Sequence, residues 1–244
     1  MQQILPASAH AGRMIAVGTG ALLLVAAASS IAGRPQPAVP STHPVRVVVV
    51  GDSLSTGHGT SPDEAWPALM RKDPLGAGFD VFNAAENGSG YLSPGDYNGT
   101  FGTQVEDFVT SDTGVVVFFG SENDLGYAAP DIGDAALAAV TRAEELAPAA
   151  KIIVVGPPSY TPAPDPALVD ISTALKSAAR EAGGEFVDPI EEGWISDDFD
   201  DLIGPDGDHP TVAGQHYLLE HIGTRIDQAS ATAAAGMQGH SQPQ

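Results

Sequence analysis

The sequence predicts a single-domain α/β protein, a three-layer α/β/α sandwich around a mostly parallel, doubly wound sheet. Three observations carry that expectation. Short β-branched runs alternate with longer segments of helical character, which is the rhythm of βαβ units. Val47 to Val50 and Val115 to Phe119 are apolar at every position, as parallel strands are when helices cover both faces. The residues with chemical potential fall just after such runs, where open α/β sheets bind ligands.

Taken in order, the expected strands are Arg46 to Val50, Phe79 to Phe82, Val115 to Phe119, Ile152 to Val155 and Glu185 to Val187. The expected helices are Asp63 to Lys72, Asp131 to Leu146, Asp165 to Ala182 and Thr211 to Asp227. In the last of these, Val212, Tyr217, Leu218, His221 and Ile222 recur near helical spacing. No internal repeat is present.

Outside this region the chain changes character. Arg13 precedes an uncharged run from Met14 to Gly33 that includes Ala21 to Ala28, and Ser30-Ile31-Ala32 supplies small residues for cleavage. Residues 1–32 therefore read as a signal peptide and the protein as secreted. The alternative is an uncleaved N-terminal membrane anchor, since the run is long enough to span a bilayer. Its many Ala, Gly and Ser residues make it weakly apolar, which favours cleavage. Residues 33–44 are proline-rich and read as a linker, residues 45–228 as the folded domain, and residues 229–244 as a disordered tail of Ala, Ser, Gly and Gln.

Composition narrows the function. The 244 residues include 31 acidic and 10 basic side chains, a formal charge of -21. A phosphate backbone or an anionic lipid surface is repelled by such a chain, so nucleic acid is not an expected partner. A hydrophobic fraction of 43% is too high for a disordered polyanion, and the acidity reads as a solvated surface. There is no cysteine, so disulfides, thiolate chemistry and a lipoprotein anchor are excluded.

After the first strand comes Gly51-Asp-Ser-Leu-Ser55. Glycine permits a tight exit, and Ser53 lands at the start of a helix or turn with its hydroxyl toward the crevice and its own N–H available to a developing negative charge. Read alone, a serine in that position is more often a helix cap than a nucleophile. Asp206-Gly-Asp-His-Pro210 changes the balance. An aspartate three residues before a histidine in a loop can accept from Nδ1–H and leave Nε2 as a base. Asp206 is thus the partner of His209, while the adjacent Asp208 reads as a turn residue.

Two further segments complete the picture. Gly120-Ser-Glu-Asn-Asp124 follows the middle strand, and the Asn123 carboxamide is a candidate donor to an oxyanion. Asn83-Ala-Ala-Glu-Asn-Gly-Ser-Gly90 follows the second strand, and Gly88 is a candidate for the other N–H. Each segment alone is also an ordinary Asx-rich turn.

In this order, across most of Val45 to Asp227, the four segments resemble the SGNH hydrolase superfamily, also called GDSL-type esterases and lipases. The resemblance implies a flavodoxin-like fold, a catalytic triad of Ser53, Asp206 and His209, and an oxyanion hole of Ser53, Gly88 and Asn123. Ser121 stands where that family commonly has glycine, and Gly90 competes with Gly88. The α/β-hydrolase alternative expects Gly-x-Ser-x-Gly, which Ser53 lacks.

The expected activity is hydrolysis of carboxylic esters through an acyl-enzyme, on short acyl or acetyl esters of carbohydrate, lipid or aryl alcohols, with no cofactor. The alternatives are an acyltransferase using the same triad and, because of Ser121, a non-catalytic secreted envelope or binding protein. The expected partner is an ester substrate, either a small molecule or a polysaccharide or lipid, with no stable membrane partner unless the N-terminal segment stays uncleaved. No metal is expected: His58 and His216 lack the paired spacing of a zinc site, and the acidic run Asp197 to Asp201 lacks the order of a calcium loop. Tyr91, Tyr97 and Phe101, and the segment Pro157 to Pro164, follow strand ends and are candidates to border the crevice, with loop packing the alternative.

Overall fold

A strand that is apolar at every position needs cover on both faces. The computed structural model of the protein, which describes residues 43–196 and 198–239, provides that cover. Five parallel strands, β1 (Val45–Gly51), β2 (Phe79–Asn83), β3 (Thr113–Phe119), β4 (Lys151–Val155) and β5 (Glu185–Val187), form one sheet in the order β2-β1-β3-β4-β5. This is the flavodoxin-like order, whose chain reversal at β1 and β3 opens a crevice beyond their carboxyl ends.

Side chains alternate across each strand, and the two sets go to different cores. Val48, Val50, Val116, Phe118, Ile152 and Val154 meet α3 (Phe101–Phe108), α4 (Ala129–Leu146) and α5 (Pro166–Glu181) through Phe101, Val105, Ile132, Val140, Ile171 and Leu175. Val47, Val49, Val115, Val117, Ile153 and Val155 meet α2 (Trp66–Met70) and α7 (Val212–Gly239) through Trp66, Met70, Leu218, Ile222 and Ile226. Two short helices, α1 (Ser53–Thr56) and α6 (Phe199–Leu202), and 3-10 turns at Pro74–Gly76 and Glu122–Asp124 complete the chain.

Helix boundaries follow proline and cap chemistry. Pro67, Pro130 and Pro166 all fall in the first turn of their helices, where a missing N–H costs nothing. Thus α2 starts at Trp66 rather than Asp63, and α4 starts at Ala129 rather than Asp131. Asp165 caps α5, its carboxylate accepting from Ala167 N–H at 2.8 Å.

Two expectations need correction. Helix α3 lies in a segment read as a glycine-rich loop. It is opened by a reciprocal pair in which Thr103 N–H donates to Thr100 Oγ1 and Thr100 N–H to Thr103 Oγ1. Helix α7 continues to Gly239, so residues 229–239 are helical rather than part of a disordered tail. Ala229 is still buried against the sheet, and the alanine-rich sequence beyond it has high helix propensity. The expected signal peptide, residues 33–42 of the expected linker and the last residues of the expected tail lie outside the described residues. Among the described residues no helix is long and apolar enough to cross a membrane.

Candidate active site

The exit from β1 is built so that Ser53 has one place to go. Gly51 N–H donates to Gln104 Oε1 at 2.9 Å, and Gly51 O accepts from Gln104 Nε2 and Ser89 Oγ, both at 3.0 Å. Asp52 then caps α1 by accepting from Leu54 N–H at 3.0 Å, which makes Ser53 the first residue of the helix. Each of the next three carbonyls is held. Ser53 O accepts from Thr56 Oγ1 at 3.2 Å, Leu54 O from Gln215 Nε2 at 3.2 Å, and Ser55 O from Asn83 Nδ2 at 2.7 Å. Gly57, at φ +84°, ends the turn where a side chain would strike Ser61 O.

Gln215 also accepts from Trp66 N–H at 2.8 Å, so the beginning of α7 is locked to α1. The loop just before α7 carries His209. An antiparallel bridge between Ile203 and Pro210 and a bond from Gly204 N–H to His209 O at 2.8 Å close that loop at its base. Inside it, Asp206 folds back on the histidine. Its Oδ2 lies 2.9 Å from His209 Nδ1, and its Oδ1 accepts from the N–H groups of Asp208 and His209, each at 3.1 Å. These bonds favour the ionised form, with the His209 N–H first among them, and hold the Asp206 carboxyl down to about 2.

The histidine loop and the α1 loop adjoin directly. The His58 and His209 ring centroids are 4.2 Å apart, and a Cβ on Gly59 would lie 2.8 Å from His209 Cβ. Neither Ser53 Oγ nor His209 Nε2 carries a hydrogen bond among the described residues. The structure thus joins Asp206 to His209 and sets their loop against the one leaving Ser53, with the serine hydroxyl unbonded. Catalytic hydrogen bonds commonly close only when substrate binds.

The remaining candidates hang on one carbonyl. Ser89 O accepts from Asn123 Nδ2 at 2.9 Å and from the buried Ser121 Oγ at 3.2 Å. Ser121 therefore fits in place of glycine, its hydroxyl satisfied. Asn123 Nδ2 also lies 3.4 Å from Asp52 Oδ2. Gly120, at φ +126°, cannot take a side chain, since its Cβ would meet Asp52 Oδ2 at 2.4 Å. Between the two glycines of the second segment, Gly90 N–H is committed to Ser93 O at 2.8 Å. The N–H of Gly88, at φ +74°, has no partner among the described residues, so Gly88 has the free donor.

Several residues that hold the site went unassigned in the sequence. Asp124, fully buried, accepts from Tyr91, Leu92 and Ser93 N–H at 2.8, 2.9 and 2.9 Å. It thereby fixes the loop that carries Gly88 and Ser89. Gln104 and Gln215 are equally buried. The crevice aromatics divide: Tyr91 and Phe101 belong to the core, which is the packing alternative of the sequence reading, while Tyr97 is 88% exposed. Tyr160, from the segment after β4, sits beside Glu122, its buried hydroxyl outside hydrogen-bond geometry. His216 is exposed, and part of the acidic run forms α6 rather than a loop. Among the described residues no group of three or more His, Cys, Asp or Glu is arranged to hold a metal ion.

Two carboxyls are displaced upward. Burial, reinforced by the charges of Asp124 and Asp208 and opposed by the Leu54 N–H bond, pushes Asp52 up to about 7. Burial and then Asp208 push Glu122 up to about 9. A raised carboxyl binds its proton more tightly folded than unfolded, so its contribution is full near pH 4 and is lost as pH rises through the folded value. Asp206 acts in the opposite sense, and its contribution is lost as pH falls toward 2. The expected result is a melting temperature highest near pH 4 that declines toward pH 9. Asp52→Asn and Glu122→Gln should each flatten the decline in calorimetry, and a flat or rising profile for the unsubstituted protein would contradict these assignments.

A parallel sheet that presents a serine turn, an Asx-rich loop, a carboxamide and an Asp–His pair at one edge defines a carboxylic ester hydrolase. The chain belongs to the GDSL-like lipase/acylhydrolase family, the SGNH hydrolases, whose sequence pattern matches residues 49–217. It is 35% identical to GDSL lipase Rv0518 of Mycobacterium tuberculosis, over 85% of this chain and 94% of that one. The same fold occurs in Est24, a carbohydrate acetylesterase from Sinorhizobium meliloti, with a TM-score of 0.59 and 20% identity over 75% of this chain and 98% of that one. It occurs too in the M. smegmatis aryl esterase, with a TM-score of 0.57 and 18% identity over 76% and 99%. The alternative of a binding protein without turnover is set aside.

Proposed function

We propose that Ser53, His209 and Asp206 hydrolyse short acyl esters through an acyl-enzyme. The observation that carries the reading is the Asp206–His209 pair, with Nε2 unbonded and its loop tied to the serine turn through Gln215. Ser53 Oγ adds to the ester carbonyl as Nε2 takes the hydroxyl proton. The oxyanion is met by the N–H groups of Ser53 and Gly88 and by Asn123 Nδ2. Collapse breaks the bond to the alcohol, which leaves with the proton from Nε2. Water then attacks the acyl-serine by the same route and releases the acid.

The substrate class is neutral esters of carbohydrate, lipid or aryl alcohols with a short acyl group. The net charge of -21 disfavours anionic substrates, and structural relatives include a carbohydrate acetylesterase and an aryl esterase. We further propose export, on the strength of Arg13 and the uncharged run behind it.

A fluorophosphonate probe tests the nucleophile. One adduct on Ser53 by peptide mass mapping is expected, with loss of labelling and of p-nitrophenyl acetate cleavage in Ser53→Ala. Labelling that persists in that variant would remove Ser53 from the role. An acyl chain-length series beside acetylated xylan tests the substrate class, and a preference for long acyl chains would overturn it.

A further inference from the structure

Two of the proposed oxyanion donors, the N–H groups of Ser53 and Gly88, belong to separate loops, one after β1 and one after β2. Such a pair stabilises an oxyanion only when both donors are held on one point. Thr56, the last residue of α1, stands between them. Its Oγ1 lies 2.5 Å from Asn87 Oδ1 and 3.2 Å from Ser53 O, and Asn87 immediately precedes Gly88.

The other groups of Asn87 are held by Asp96. Its carbonyl accepts from Asp96 N–H at 3.0 Å, and its Nδ2 donates to Asp96 Oδ2 at 3.4 Å. The second contact decides which way the amide faces, since reversing it would set Oδ1 against a carboxylate. Oδ1 is therefore the atom that meets Thr56. The Thr56 hydroxyl has one proton for two acceptors, and the shorter contact takes it.

The carbonyl contact sets a direction. The C=O of Asn87 and the N–H of Gly88 share one planar trans peptide and point opposite ways. With the carbonyl held by Asp96, the Gly88 N–H is aimed away from the turn at residues 95–99. That turn is pinned in its own right: Glu86 Oε1 accepts from the N–H groups of Tyr97 and Gly99, and a Cβ on Gly95 would lie 2.7 Å from Asn87 O. The loop is also tied to the end of β1, where Ser89 Oγ and Glu86 N–H both donate to Gly51 O. Beside Gly88, its tie to α1 is the Thr56 hydroxyl.

We infer that Thr56 is a positioning residue for the oxyanion hole, its hydroxyl joining α1 to Asn87 so that the Ser53 and Gly88 N–H groups converge. The inference rests on the roles proposed above for Ser53 and Gly88. The oxyanion exists only once Ser53 has added to the ester, so misplaced donors lower kcat and leave KM nearly unchanged.

The test compares Thr56→Val, Thr56→Ser, Asn87→Ala and the Thr56→Val, Asn87→Ala double variant on a short p-nitrophenyl ester, each checked for folding by circular dichroism. Deleting an oxyanion donor costs about 10^2 to 10^3-fold, and shifting one should cost less, so Thr56→Val and Asn87→Ala should each lower kcat by about 10 to 100-fold. KM should stay within about 2-fold. Thr56→Ser keeps the hydroxyl and should restore kcat. Because the two residues act through one bond, the double variant should be no slower than the slower single variant. Inhibition by n-butylboronic acid, whose boron takes the Ser53 oxygen and becomes a tetrahedral anion, should weaken in parallel with kcat.

A Thr56→Val enzyme with unchanged kcat and unchanged boronic acid affinity would overturn the inference, and so would a serine variant as slow as the valine one. Losses that multiply in the double variant would also overturn it, because they would mark two independent structural roles. Fluorophosphonate labelling separates these outcomes from failure of the triad. Labelling that stays on Ser53 confines the failure to Thr56, whereas labelling indifferent to Ser53→Ala removes the triad and this inference together.

Discussion

His209→Ala lowers kcat/KM for a short p-nitrophenyl ester by about 10^4 to 10^6-fold, the loss seen when the base of a serine triad is removed. The reasoning is local. Among the described residues Ser53 Oγ has no hydrogen-bond partner, and its turn is firmly held, with the carbonyls of Ser53, Leu54 and Ser55 all bonded, so the base has to come from the adjoining loop that carries His209. Asp206→Ala should cost less, about 10^2 to 10^4-fold, because its side chain is 46% exposed and water replaces part of what it supplies. Steady-state kinetics from pH 6 to 9 decides the matter. A His209→Ala enzyme within 10-fold of the unsubstituted one would leave the proposed triad without support.

Asp124→Ala lowers the free energy of unfolding by about 3 kcal/mol or more. One buried carboxylate satisfies three backbone N–H groups, that of Tyr91 buried and those of Leu92 and Ser93 partly so, and its removal strands all three, where an unpaired buried donor costs about 1 to 3 kcal/mol. A domain with a total stability of about 5 to 15 kcal/mol has little room for that. Asp124→Asn should recover part of the loss, since a carboxamide oxygen can still serve the N–H groups of Leu92 and Ser93 while its amide faces that of Tyr91. Urea titrations at pH 6 measure both variants. A loss below 1 kcal/mol for alanine would mean that the loop from Tyr91 to Ser93 finds other acceptors.

The sheet was legible because its information is local. Val47 to Val50 and Val115 to Phe119 announce buried parallel strands without reference to anything distant, and all five expected strands are present within two residues of their expected ends. Asp206 and His209 were legible for the same reason, since a hydrogen bond spanning three positions can be read from spacing. Helix α3 was not, because glycines and turn-formers on its N-terminal side hid the apolar positions Phe101, Val105 and Phe108. The far end of α7 was missed because alanine and serine show no amphipathic period, although alanine favours helix more than any other residue.

What sequence could not reveal was the scaffolding of the site. Gln215 grips Leu54 from 161 positions away, Gln104 grips Gly51 from 53, and Asp124 reaches Tyr91 across 33. A buried glutamine or aspartate has no local signature, because its purpose is set by backbone groups that only the finished fold delivers.

Helix α7 has a consequence for when the protein becomes active. Its Leu218, Ile222 and Ile226 seal one face of the sheet, and the loop that delivers His209 is drawn into position by that same docking. A growing polypeptide that has reached α5 already owns its serine turn, yet it lacks both the seal and the base. Under the proposed triad, ester cleavage is expected only once α7 has docked, and a variant truncated before α7 is expected to be inactive.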